Sequence, residues 1–129
     1  MRNRICKILS LVSIFGVWST NSQAADFGFG FKWCGDSPIF SLHDVPKGAS
    51  KLEFNMVDLD SQGYAHGGAT IDYRGQKTIP CGTFTSMNSN YGGPQPPFGE
   101  HHHYVWTIKA LGSDGSTVAN ATAQRMFPE

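Results

Sequence analysis

An all-β fold, a single small domain of the β-sandwich kind, is what this sequence predicts, and two observations predict it. Along residues 25–129, Gly, Pro, Asn, Asp and Ser interrupt short apolar runs roughly every eight to twelve residues, the spacing of turns between short strands. No segment sustains the 3.6-residue apolar period of an amphipathic helix. Phe27 to Trp33 alternates aromatic with small or polar residues and reads as an edge strand. Lys51 to Val57 sets Leu52, Phe54 and Met56 against Glu53 and Asn55, a half-buried strand ending at Asp58. Ala69 to Tyr73, Gly82 to Thr85 and Tyr104 to Leu111 read as further strands, and Ser113 to Glu129 as either a final short strand or a frayed tail.

The first 24 residues stand apart from this pattern. Arg2, Arg4 and Lys7 precede an apolar stretch from Ile8 to Trp18, and Ser22-Gln23-Ala24 fits the small-x-small rule, so residues 1–24 are expected to be a signal peptide cleaved after Ala24. About eleven apolar residues fall short of the roughly 20 that span a bilayer, so no stable membrane anchor is expected. The expected address is periplasmic or secreted. Residues 25–129 then suffice for one domain with a modest core.

Ten basic residues balance ten acidic ones in the whole chain, but three of the basic ones lie in the leader, leaving the remainder at a net charge of −3. That argues against a nucleic-acid partner, which needs a clustered basic surface to neutralise phosphates. Cys6 leaves with the leader. Cys34 and Cys81 remain in an oxidising compartment, where a disulfide is the natural reading, with free thiols or metal ligation as the alternatives.

The most informative run is Tyr91-Gly92-Gly93-Pro94-Gln95-Pro96-Pro97-Phe98-Gly99-Glu100-His101-His102-His103-Tyr104-Val105-Trp106. Its prolines fix φ and its glycines permit turns closed to other residues, so a stiff loop delivers histidines into an aromatic strand. In such a strand His102, Tyr104 and Trp106 share one face, while His101, His103 and Val105 share the other. A phenol and imidazoles are donors suited to phosphate or carboxylate oxygens, and an Asp beside a His raises that histidine toward its protonated form.

Four segments in order carry a resemblance: Cys34-Gly35 with Ser37-Pro38, Val45-Pro46-Lys47-Gly48-Ala49, Val57-Asp58-Leu59-Asp60, and Tyr91 to Leu111. Together they resemble the phosphatidylethanolamine-binding protein family, whose bacterial members are often called Raf kinase inhibitor-like proteins. The chain departs from the family pattern at Asp58-Leu59-Asp60-Ser61-Gln62, where D-P-D-A-P is usual, and at His66-Gly67-Gly68, where His-Trp is usual. It also runs only a short way past Leu111, so the resemblance is to a reduced version of the fold. The resemblance implies a β-sandwich of that type with a small pocket for an anionic or phosphorylated group. Carried over residue by residue, the pocket is Asp58, His66, Pro96 or Pro97, His102 and Tyr104, with Asp60 and Tyr91 supporting it from behind.

Other chemistries find weaker footing. A transition-metal site would need His102 with His66 and Asp58, because neighbouring strand residues point opposite ways; none is expected. Asp58 to Gly63 begins like a calcium loop, but position twelve is Ala69 rather than a bidentate Glu. Phe29-Gly30-Phe31 lacks a strand-turn-helix context for a dinucleotide. No G-x-S-x-G elbow or H-E-x-x-H helix occurs, so no catalytic residue and no cofactor is expected, although an Asp/His/Tyr cluster could serve acid-base hydrolysis of a small ester. The reading is a small binding protein for an anionic ligand, with a protein-interaction or inhibitor module, or a His/Asp metal binder, as the alternatives.

Overall fold

The computed structural model describes residues 26–61 and 63–129; the leader predicted over residues 1–24 lies outside them. Eight strands run in chain order: β1 Gly28–Lys32, β2 Ile39–His43, β3 Lys51–Asp58, β4 Tyr64–Asp72, β5 Thr78–Ile79, β6 Asn90–Tyr91, β7 His102–Leu111 and β8 Thr117–Phe127. No helix occurs among the described residues, and so none there is long and apolar enough to cross a membrane. The fold is all-β, as the turn spacing predicts.

Two antiparallel sheets form, a small one in the order β1-β2-β5 and a larger one in the order β6-β4-β3-β7-β8. Alternation decides what lies between them. On β3 the inward row is Leu52, Phe54, Met56 and Asp58, and on β7 it is His102, Tyr104, Trp106, Ile108 and Ala110. Phe40 of β2 closes the sandwich from the other sheet, its ring 5.1 Å from both Phe54 and Trp106 in edge-on geometry. Trp33, just past β1, packs its ring edge-on to Tyr104 and Phe127 and donates Nε1–H to the Met126 carbonyl at 2.7 Å. The small sheet is thereby tied to the far edge of the large one.

The expected edge strand over 27–33 is β1, and the Lys51 to Asp58 and Tyr104 to Leu111 strands form with β7 starting two residues earlier. The open question at the C-terminus resolves as the 11-residue β8. Its inward residues include Ala119, Ala121 and Ala123, which pack on the core without a strong apolar signature. One expectation is corrected: Gly82 to Thr85 is not a strand. Gly82 sits at φ 78°, and the Phe84 N–H goes to the Ser37 hydroxyl at 3.0 Å instead of a ladder partner, anchoring a buried aromatic in a loop. The β2, β5 and β6 pairings were not anticipated.

Cys34 and Cys81 form a disulfide across a Cα–Cα distance of 5.8 Å, well within bridging range. It joins the end of β1 to the loop after the two-residue β5, the least self-sufficient strand of the small sheet.

Candidate functional site

The site forms where the core row runs out. Asp58 is the last inward residue of β3 and His102 the first of β7, so the alternation that builds the apolar core carries two ionisable groups to its end. Register pairs Asp58 with Tyr104, which brings His102 within reach of the carboxylate. His102 Nδ1 lies 2.7 Å from Asp58 Oδ2, and both residues are buried, at 7% and 2% exposed.

His66 reaches the same place through a break in β4. Met56 pairs with Gly67, but Val57 pairs with Ala65, leaving His66 as one extra residue in a β-bulge. Unbroken alternation from Ala69 and Ile71, which pack on the core, would turn His66 outward; the extra residue turns it in. Its Nδ1 lies 3.1 Å from the Gly92 carbonyl, which can only accept, so Nδ1 carries the proton. Nε2 stands 4.0 Å from Asp58 Oδ2.

The glycines that follow His66 are required here. Gly67 has φ 74°, and a Cβ there would fall 1.7 Å from the Asn90 carbonyl oxygen; on Gly68 it would fall 1.8 Å from that of Phe54. The tryptophan that the resemblance leads one to expect has no room. Gly67→Ala is therefore expected to cost on the order of 2–3 kcal/mol, through left-handed strain and backbone collision. Hydrogen exchange at the Gly92 amide, which bonds the His66 carbonyl at 2.8 Å, should accelerate in that variant, and an unchanged rate would count against the account.

Both ring nitrogens of His102 face carboxylates, since Nε2 lies 3.0 Å from Glu100 Oε2. Ionised carboxylates only accept, so the two contacts together call for N–H on both sides, the imidazolium form. The hydrogen bonds to Asp58 and then Glu100 raise the His102 pKa above its ordinary value, burial opposing. For Asp58, burial pushes the carboxyl up, but the His102 bond, the Asp60 backbone N–H at 2.9 Å and the Ser61 hydroxyl outweigh it and hold it below the usual range. Asp60, on the outer side, accepts from the His103 backbone N–H and lies 2.9 Å from His103 Nδ1, which lowers its pKa too.

Tyr104 is fully buried, and its hydroxyl, which lies near Asp58 and the Gln95 backbone, makes no hydrogen bond of good geometry among the described residues. Burial, and then the Asp58 charge, push its pKa up to about 12, so it is a neutral donor at any physiological pH. Its ring stacks near His102 and meets His66 edge-on at 5.5 Å. An unpaired buried hydroxyl costs about 1–3 kcal/mol unless something satisfies it.

Of the expected site residues, Asp58, His66, His102 and Tyr104 come together. Asp60 stands behind them on the turn after β3. Tyr91 is buried and donates its hydroxyl to the Asp36 carbonyl, pinning the start of the Gly/Pro loop; burial raises its pKa. Pro96 is half-buried and Pro97 exposed, while the deeply buried proline of the loop is Pro94. The Pro97 carbonyl accepts the Glu100 N–H at 3.0 Å, closing a turn whose third residue, Gly99, has φ 83°. Glu100 itself was not among the expected residues. Its position two before His102, hence on the same side of an extended chain, was the available signal.

Beyond His66 an open cleft of about 480 Å³ runs past Tyr64, Ser86, Ser89, Asn90 and Gln95; Asp58 and His102 are not on its wall. Among the described residues no three His, Cys, Asp or Glu side chains converge on a position suited to a metal ion.

Comparison with known proteins bears on this geometry. The chain has no significant match among curated proteins. Its structure is similar to that of YbcL of E. coli, described as a new member of the mammalian PEBP family, with TM-score 0.57 and 17% identity over 70% of this chain and 79% of that one. It is also similar to CT736 of Chlamydia trachomatis D/UW-3/CX, a phosphatidylethanolamine-binding protein homolog, with TM-score 0.57 and 20% identity over 84% of this chain and 95% of that one. At these identities the structural likeness speaks for the fold. The family model for phosphatidylethanolamine-binding protein matches residues 19–127, nearly the whole chain. With sequence, fold and family model in agreement, this chain belongs to the phosphatidylethanolamine-binding protein family.

Proposed function

We propose that this chain is an exported small binding protein whose Asp58, His66, His102 and Tyr104 hold a small anionic or phosphorylated ligand, and that it binds without turnover. The observation that carries the reading is the orientation of His102. Asp58 grips Nδ1 at 2.7 Å, which leaves Nε2–H as the outer donor at the end of the core row, over the stacked ring of Tyr104. A fixed cationic donor suits an oxygen-rich anion. The name of the family points the same way. Export is favoured by the predicted leader and by the Cys34–Cys81 disulfide, a bond typical of oxidising compartments.

An NMR titration of the protein purified after export, with phosphoethanolamine and inorganic phosphate, tests this. Saturable shifts at His102, Tyr104 and Asp58 are expected, lost in His102→Ala. Because the raised His102 pKa keeps the ring charged at lower pH, affinity should fall as pH rises through that folded-state value. Shifts that persist in His102→Ala would sink the assignment.

A second reading, a protein-interaction module using the same loop, draws on Phe98, which is fully exposed at the loop tip beside Glu100. Pull-downs with and without phosphate as competitor separate the two: capture through Phe98 alone would be indifferent to phosphate.

A further inference from the structure

We propose that Glu100 is a resident carboxylate occupying the anion position on His102, so that ligand binding at this site is an exchange of one anion for another. The proposal rests on the reading of the site as an anion pocket and adds to it a residue that sets its apparent affinity. His102 has two ring nitrogens, and the inner one is committed to Asp58 at 2.7 Å. The outer one is the donor an incoming anion would use, and Glu100 Oε2 already stands 3.0 Å from it.

Glu100 is brought there by the backbone. The Pro97 carbonyl and Glu100 N–H close a tight turn, and Gly99 supplies the positive φ that the turn's third residue demands. The carboxylate is tethered two residues from its partner, at an effective concentration in the millimolar range or above. Yet its side chain remains 59% exposed against 8% for His102, so it can leave toward solvent without disturbing the packed row beneath. Asp58, in contrast, is fixed by His102, the Asp60 amide and its burial. One carboxylate orients the ring and the other merely covers it.

A lowered apparent affinity follows from the exchange. A free monocarboxylate such as acetate offers the same group as Glu100 without the tether and displaces it only at high concentration. A phosphate or phosphate monoester brings more charge and further acceptor oxygens, so it competes with Glu100 at lower concentration than acetate does. If Glu100 covers the position nine-tenths of the time, apparent affinity for any anion is reduced about tenfold.

The test compares wild type, Glu100→Gln and Glu100→Ala by NMR titration with inorganic phosphate and, separately, with acetate. Phosphate should bind all three, about tenfold tighter in both variants, and acetate should show the same tenfold gain. The His102 ring should titrate at lower pH in Glu100→Gln, since one of its two carboxylate partners is gone while Asp58 remains, an effect that a purely structural role would not produce. Equal or weaker phosphate affinity in the variants, or acetate affinity that does not rise with it, overturns the exchange and leaves the anion pocket standing. Absence of phosphate binding in all three overturns both.

Discussion

Replacing Cys34 and Cys81 together by serine should remove about 4 kcal/mol of stability, the chain-entropy value for releasing a loop of about 48 residues. In a domain of this size that corresponds to roughly 20 °C in Tm. Both cysteines are exposed, so the loss is not a matter of core packing. It arises because the unfolded chain gains the freedom that the bridge denied it. The short β5 should be the first element to open, since only Thr78 and Ile79 pair with β2 and the bridge sits two residues beyond. Urea unfolding of the double variant and of the dithiothreitol-treated protein should give matching midpoints, with a larger m-value than the oxidised form. A loss under about 1 kcal/mol would show that the bridge does not restrain the unfolded ensemble as the chain-entropy account requires.

Asp58→Ala should be nearly as damaging, at about 3–5 kcal/mol, because it leaves a buried histidine without its inner partner. Ligand binding should vanish with it. Asp58→Asn keeps the shape and isolates the charge. The signs are these. Asp58 titrates below its unfolded value of 3.8, so its contribution is present above that pH and is lost as pH falls through the folded-state value. His102 titrates above its unfolded value of 6.5, so its contribution is complete below that pH and is lost as pH rises through the folded-state value. The pair therefore supports the fold fully between about pH 4 and 6.5, and Asp58→Asn should flatten both limbs of the stability profile. Chemical denaturation across pH 3 to 9 would reveal it; a variant profile parallel to that of wild type would refute the coupling.

How much of this was legible in the sequence depends on how strongly each element signals. The core rows of β3 and β7 were readable because Leu52, Phe54, Met56, Tyr104, Trp106 and Ile108 alternate cleanly with polar neighbours. β8 was ambiguous because its inward positions are alanines, which carry little apolar weight yet fit closely against the sheet. Gly82 to Thr85 misled because one buried aromatic between turn residues mimics a short strand; only the Ser37 contact reveals a loop anchor. At the site, the His102/Tyr104 face followed from period two. The inward turn of His66 did not, since a bulge shifts the alternation by one and leaves no local mark beyond two glycines. Glu100 carries no signal in the sequence beyond its spacing from His102, being one carboxylate ahead of three histidines, and only the folded turn shows an acceptor in place on the ring.

The placement of Asp58 and His102 at the end of the core row has an energetic corollary. A ligand captured there, as proposed, would meet side chains already held by the central strands of the large sheet, so little conformational entropy would be lost on capture. The same continuity works in reverse. Any ligand that grips the native arrangement and not the unfolded chain raises the stability of the whole sandwich, by about 2.7 kcal/mol at a hundred times its Kd. Melting temperature is thereby a direct gauge of occupancy, and libraries of small anions can be ranked on the unlabelled protein.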